Sequence, residues 1–484
     1  MEFMHLRLGR NRLRSHLWVA IACVTSVCVL SISKNLATLN QNDFFVAFHS
    51  LLEEKPLDVT PYNGFNTAAF VWAYSNSNSQ PWGDRNLSWI YLWAHTRLQR
   101  LFSTHFDLFL MALISKVILL ACCYRLAAVC GRHVAISPAF QVPLFLLFIL
   151  AVSFAHNIAF LNSFYGEHTF FVFLPVALVG LFEKKRWVRV GLLSVGLLFC
   201  SGAKPQYFYL AALAAGAMAL MALIERRKVD LPVIGLLLIA STVSWFYAFS
   251  SGSKAVNYYN STYFGSYLLL PDEQLKQLGV KEADLECVGV DPWGNRIERR
   301  DTLKLSRGPI DCAQRIPITL GTVLAPYLRH PGLLLALWRR VAPAHFTVRY
   351  FHVAQGLKYV IPSDGKSFHA GRALMWTSAL RERFVTPYYL AIILVGLLLP
   401  FVSYKSAVSA EIKTATFMLA VFIPSQFAAG LLGEGVRDLS KHLAGAQFCL
   451  DLLVVFLVLQ LAAYGISASG RSPLRLVRSV DIAA

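Results

Sequence analysis

The sequence predicts an all-α polytopic integral membrane protein of about ten transmembrane helices, with two extracytoplasmic loop regions, the larger forming a small mixed subdomain. Three observations carry that reading. The 484 residues are 56% hydrophobic and only 15% charged, the mean hydropathy is +0.51, and runs of about 20 apolar residues, enough to cross a hydrocarbon core, recur along the chain. Low charge and 13% aromatic content exclude a disordered chain and a nucleic-acid-binding domain. Nine cysteines without a CxxC pair exclude a disulfide scaffold and a zinc module.

The expected spans are 15–33, 107–129, 139–161, 168–182, 190–205, 206–224, 231–250, 387–404, 414–432 and 443–466. The first follows a basic leader, Met1–Arg14, and has no small-x-small cleavage site behind it, so it reads as an anchor with a cytoplasmic N-terminus. Ten spans then alternate sides, and both termini fall in the cytoplasm. The short pieces this places inside (1–14, 125–133, 182–190, 225–230, 404–413 and 470–484) hold 18 basic and 6 acidic residues. The outer pieces 34–105 and 433–442 are balanced, 5 against 5 and 2 against 2, as the positive-inside rule requires. Of the net +18, the inner pieces carry 18 − 6 = +12 and the long segment 251–385 carries 18 − 11 = +7.

This divides the chain into a module of seven spans at 1–250 with a first external loop at 34–105, a large external loop at 251–385, and a module of three spans with a basic tail at 386–484. In the large loop, Cys287 and Cys312 either pair as a disulfide in an oxidising compartment or remain thiols of a packed subdomain. Tyr327–Val341 has the pattern of an amphipathic helix lying on the membrane surface.

Ionisable groups in or beside spans are costly and tend to face a cavity, a partner or a substrate. Most gather on the outer side. Asn42 and Asp43 follow the first span, where an acid can act as a general base or merely cap a helix. The turn Asn162–His168 holds Tyr165 and Glu167, with capping by Ser163 or Glu167 as its structural reading. Lys204-Pro205-Gln206 breaks two spans at the surface, where Lys204 either binds a lipid phosphate or snorkels. The last outer turn carries Asp438, Lys441 and His442 and leads to Gln447 and Asp451, which share a helix face. Only Lys116 and Asp451 are deep, unlike the midplane sites of transporters.

In order, Asn42-Asp43, Asn162–Glu167, Lys204-Pro205-Gln206, Tyr258–Gly265, Leu275–Gly279, Arg329-His330-Pro331 and Gly435–His442 with Asp451 resemble the GT-C superfamily of polytopic glycosyltransferases. Within it the resemblance is to bacterial hexosyltransferases that use polyprenyl-phosphate sugars to build or decorate cell-surface glycans, including lipopolysaccharide or exopolysaccharide. It implies a bacterial inner-membrane enzyme with a periplasmic active site, Asp43 as catalytic base, and inversion at the donor carbon. Lys204, Lys441 and His442 would hold the donor phosphate. Asn42, Tyr165, Glu167, Gln206, Tyr258, Tyr259 and Asp438 would bind or orient substrate. The partners implied are a polyprenyl-phosphate-hexose donor, a glycan or lipid-linked glycan acceptor, membrane lipids, and an enzyme that loads the lipid carrier. The next acids after Asp43 are Glu53 and Glu54, with Asp84 farther along, so no cofactor is certain and a divalent metal is possible but not favoured. A flippase of lipid-linked sugars, and an O-antigen polymerase or ligase working through Arg349 and His352, are the competing readings.

Overall fold

The computed structural model describes residues 87–133, 141–250, 254–292, 294–297, 305–345, 380–403, 406, 408–436 and 439–468, with short segments at 37–38, 51–56, 60–62, 66–68, 71–74 and 359–360. The first expected span and the C-terminal tail lie outside the described residues. The described chain is mostly helical. In order, the helices are α1 (Ser88–Gln99), α2 (Leu108–His133), α3 (Gln141–Val152), α4 (Ala155–Leu161), α5 (Gly166–Phe182) and α6 (Arg186–Gly202). Then come α7 (Pro205–Ile224), which starts with a 3-10 turn, α8 (Leu231–Ser250), α9 (Lys254–Tyr263), α10 (Asp272–Gln277), α11 (Cys312–Arg315), α12 (Leu320–Arg329) and α13 (Leu333–His345). Four more follow: α14 (Leu380–Val402), α15 (Ala410–Glu434), α16 (Leu439–His442) and α17 (Ala444–Ala468).

Among the described residues, six helices are long and apolar enough to cross a membrane: Leu108–Gly131, Pro205–Ile224, Leu231–Ala248, Leu380–Val402, Ala410–Glu434 and Ala444–Gly465. The segment expected to cross at 139–161 is divided into α3 and α4 at Ser153 and Phe154, and α5 and α6 are each 17 residues. A short helix need not face lipid if its neighbours cover it. Nearly every side chain of α5 is buried, with α2, α6, α15 and α17 around it. Two glycines permit the tightest of these contacts. A Cβ on Gly196 would lie 2.7 Å from the Ala177 backbone nitrogen, and one on Gly180 would lie 2.7 Å from that of Leu193.

Strands appear between residues 37 and 107, a stretch expected from sequence only as an external loop. β2 (Leu52–Pro56), β5 (Val71–Tyr74) and β6 (His105–Asp107) form an antiparallel sheet, with β3 (Thr60–Tyr62) and β4 (Asn66–Ala68) as a hairpin between β2 and β5 in the chain. The sheet is local to this loop, so the helical class stands with a small β addition. Trp72 is fully buried and meets Phe164 edge-on at 4.9 Å, which seats the sheet on the 162–168 turn. β1 (Ala37–Thr38) pairs with β9 (Tyr359–Val360), and β7 (Asn295–Ile297) with β8 (Leu305–Arg307).

The two ends of the bundle differ chemically. At one end, ion pairs join the basic turns: Arg125 to Glu183 (2.8 Å), Arg189 to Asp230, Arg227 to Glu411 (3.0 Å) and Lys413 to Glu225 (2.7 Å). These turns belong to four of the six pieces that the sequence expects in the cytoplasm. The other end carries the 162–168 turn, the 203–206 break, the 433–442 turn and the subdomain 254–345. Cys287 and Cys312 are bonded there, with their Cα atoms 5.7 Å apart, which resolves the alternative left open by the sequence.

Replacing Gly196 with Ala forces its Cβ into the α5 backbone, and overpacking of this kind destabilises by about 1–3 kcal/mol. The expected outcome is a lower unfolding temperature in detergent, whereas Gly216→Ala, which meets nothing within 4 Å, leaves it unchanged.

Candidate functional site

The turn between α4 and α5 is organised by Ser163. Its hydroxyl donates to Phe160 O (2.6 Å) and accepts from the Tyr165 amide (3.3 Å). Tyr165 is extended, and α5 begins at the next residue. His168 then ties the turn to its neighbours. Its Nδ1 is 3.0 Å from the Ser163 carbonyl, which can only accept, so Nδ1 carries a proton. On a neutral ring, Nε2 therefore accepts from Ser115 Oγ (2.6 Å), and Ser115 in turn accepts from the Tyr91 hydroxyl (2.8 Å). Lys116, also buried, follows Ser115 on α2.

Glu167 lies in the first turn of α5, where the helix dipole favours a carboxylate. Its side chain is fully buried, and Lys204 Nζ donates to Oε1 at 2.5 Å. Glu167 Oε2 is also buried and has no hydrogen-bond partner among the described residues. The approach of the two chains depends on Gly166, whose Cβ would lie 2.3 Å from Ala203 O and 2.9 Å from the Lys204 side chain. On the other flank the Leu87 amide donates to Gly202 O (2.7 Å), so the start of α1 helps to hold the break between α6 and α7.

The third component arrives from the end of α15. Gly435 has φ +65°, and a Cβ there would lie 2.4 Å from Asn260 O and 2.6 Å from Phe264 O. Val436 N donates to Phe264 O (2.9 Å) and Ser261 Oγ to Leu431 O (3.0 Å), clamping this turn on α9. From α16, Lys441 lays its ammonium 5.5 Å from the Tyr165 ring centroid. His442 Nε2 is 2.6 Å from Glu434 Oε2, and the His442 carbonyl accepts from Gln206 Nε2 (3.1 Å).

Of the residues singled out from sequence, Tyr165, Glu167, Lys204, Gln206, Lys441 and His442 are thus linked at one end of the bundle. Tyr259 is placed elsewhere: it stacks on Tyr263 at 5.2 Å, and its hydroxyl reaches the Cys287 carbonyl (3.5 Å), so it packs the disulfide-bearing subdomain. Tyr258 is half-buried on α9, and among the described contacts none joins its side chain to the group. Asn42, Asp43, Asp438, Arg349 and His352 lie outside the described residues. Among the described residues, no three His, Cys, Asp or Glu side chains gather as a metal-ligand set.

Two features were missed from sequence, the first being the cation that partners Asp451, itself already singled out. Asp451 is ion-paired with Arg381, and both side chains are completely buried. Arg381 also donates to Thr386 Oγ1 (3.3 Å) and Gln447 O (3.5 Å), while Asn157 Nδ2 donates to Asp451 Oδ2 (3.4 Å). Arg381 fell within the large loop because the span was started at 387; a membrane-embedded Asp451 in need of a cation was the available signal. The second is Gly445 beside His442, where a Cβ would meet Gln426 Oε1 at 2.5 Å and Tyr207 OH at 2.8 Å. These polar groups crowd the start of the last span.

The family model of the YfdI N-terminal transmembrane domain matches residues 45–472. The chain belongs to that transmembrane family. It is also similar to the uncharacterized protein YfdI of Escherichia coli (strain K12), 26% identical over 452 residues that cover 90% of this chain and 94% of the relative. No solved structure matches.

Removing one partner of a buried ion pair leaves an uncompensated charge and costs about 3–5 kcal/mol. Arg381→Met is therefore expected to lower the unfolding temperature sharply. The double variant Arg381→Met with Asp451→Leu is expected to regain most of the loss, as measured by thermal unfolding of purified protein in detergent.

Proposed function

We propose that this membrane protein is a hexosyltransferase of the GT-C type, moving a hexose from a polyprenyl-phosphate donor to a cell-surface glycan. The observation that carries the reading is the group at one end of the bundle, where Glu167 and Lys204 pair and Lys441 and His442 approach from the opposite module. A lipid-phosphate leaving group needs fixed cations at the level of the head groups, and these residues offer them. Two further observations support an extracytoplasmic position for this end. The Cys287–Cys312 disulfide belongs to an oxidising compartment, and the basic turns lie at the other end. The reading includes ten spans, both termini in the cytoplasm of a bacterial inner-membrane protein, and the site in the periplasm.

In the proposed reaction, the acceptor hydroxyl oxygen bonds to the anomeric carbon as the bond from that carbon to the phosphate oxygen breaks. The bonding pair leaves on the phosphate, and the hydroxyl proton passes to the Asp43 carboxylate. Lys204, Lys441 and His442 stabilise the charge growing on the phosphate. Glu167 holds Lys204 through Oε1 and offers Oε2 to a donor hydroxyl. A single displacement inverts the anomeric configuration. No metal is required, and the donor is made by a separate enzyme that loads the carrier lipid.

Asp43→Asn is expected to lower transfer at least about 100-fold, and Lys204→Gln about 100-fold to 1000-fold. The assay supplies labelled polyprenyl-phosphate hexoses and acceptor glycan to folded protein in detergent. Wild-type transfer by Asp43→Asn would remove the base assignment. Movement of the lipid-linked sugar across a bilayer without transfer would favour a flippase, and loss of function in Arg349→Ala with activity kept in Asp43→Asn would favour a polymerase or ligase.

A further inference from the structure

The subdomain that follows α9 ends in two consecutive helices, α12 and α13, joined through His330-Pro331-Gly332. Thr319 starts α12 with a reciprocal cap, its Oγ1 accepting from the Thr322 amide while Thr322 Oγ1 accepts from the Thr319 amide. One face of α12 is buried through Val323 and Pro326. Its other face presents Leu320, Leu324 and Leu328, spaced four apart and 48%, 38% and 79% exposed. In α13 the sides are equally distinct. Leu333, Leu337 and Val341 are buried, whereas Leu335 is 54% exposed and Arg339 and Arg340 are exposed, with no partner for either arginine among the described residues.

The position of this pair relative to the membrane follows from Trp338. Its ring meets Phe427 of α15 at 4.3 Å and Tyr389 of α14 at 6.1 Å. Both partners belong to helices that are long and apolar enough to span. Phe427 is seven residues before the end of α15 at Glu434, which places it about 10 Å inside that end at the helical rise per residue. A tryptophan at this depth is at the interfacial layer, where its ring is favoured. The helix carrying it is therefore level with the lipid head groups, and its neighbour α12 presents three leucines nearby. Leucines exposed in a row to water would be an aggregation hazard, while the same row beside a bilayer is an anchor.

We propose that α12 and α13 lie in the lipid–water interface of the leaflet at the Glu167–Lys204 end. Leu320, Leu324 and Leu328 enter the acyl boundary of that leaflet, and Arg339 and Arg340 meet its phosphates. The occupant of the leucine face is the bilayer the chain itself spans. The inference is independent of the transfer chemistry and concerns how the external subdomain is held over the site.

The test places a fluorescent amino acid at Leu324, at Leu328 or at Lys276, the last on the exposed surface of α10, in full-length protein reconstituted into phosphatidylcholine–phosphatidylglycerol vesicles. Nitroxide-labelled lipid is expected to quench positions 324 and 328 about twofold or more over position 276, with iodide showing the reverse order. Iodide quenching at 324 and 328 equal to that at 276 overturns the proposal. So does protection from both quenchers, which would mean that a second copy or another part of the chain covers the leucines.

Discussion

In the low-dielectric interior of a membrane, an ionised side chain must sit at an end, find a partner, or face a cavity. This constraint organises the whole bundle. Lys413, fully buried at the basic end, is answered by Glu225 from the α7–α8 turn, and Arg227 of the same turn reaches Glu411. These pairs bind the α7–α8 turn to the start of α15 at one end. At the other end, Arg381 and Asp451 likewise pair about 10 Å inside the start of α17, and Asn157 adds a contact from α4. Charge thus crosslinks helices that apolar packing alone would leave free to slide.

The same constraint explains why the candidate site is where it is. Glu167 is buried beyond the reach of water, so its position requires Lys204, and the approach of Lys204 requires that Gly166 carry no side chain. The sequence of dependence runs from a glycine, through a backbone contact at Ala203, to an ion pair that places a carboxylate oxygen without a partner. On the far side, Gly435 and Gly265 allow the 433–436 turn to close on α9, which brings Lys441 to Tyr165. The turns close on their neighbours through backbone proximity at glycines, and the polar side chains are then carried into register.

Much of this was legible in the sequence, and the failures have physical causes. Hydropathy located the helices at 107–129, 206–224, 231–250, 414–432 and 443–466 within a few residues of their observed bounds, because lipid contact leaves a continuous apolar record. It misjudged α14, since Arg381 and Glu382 look like loop residues until the partner Asp451 is known. It also merged α3 and α4, because the few polar residues at the break, Ser153, His156 and Asn157, stand between long apolar runs. The sheet beneath the first loop escaped notice since its strands are three to five residues long, shorter than any period can establish. Disulfide pairing was an open alternative because chemistry permits it while only the fold brings the two cysteines together.

The polar residues at 165–167, 204–206 and 441–442 were singled out as separate short stretches, each with an ordinary structural explanation. Capping accounts for neither Ser163 nor Glu167: the N-cap of α5 is Tyr165, with no side-chain cap, Ser163 bonds within the turn, and Glu167 Oε1 pairs with a lysine 37 positions away in the chain. Snorkelling accounts for a lysine that reaches water, yet Lys204 has only 11% of its side chain exposed and turns toward that carboxylate. Lys441, 3% exposed, rests on an aromatic ring from another module. Three buried ionisable groups drawn together from three turns would be an expensive way to pack a helix end, where leucines would suffice. The proposed transferase reading rests on that comparison, since an anionic, hydroxyl-rich ligand would match groups of this kind gathered at one surface.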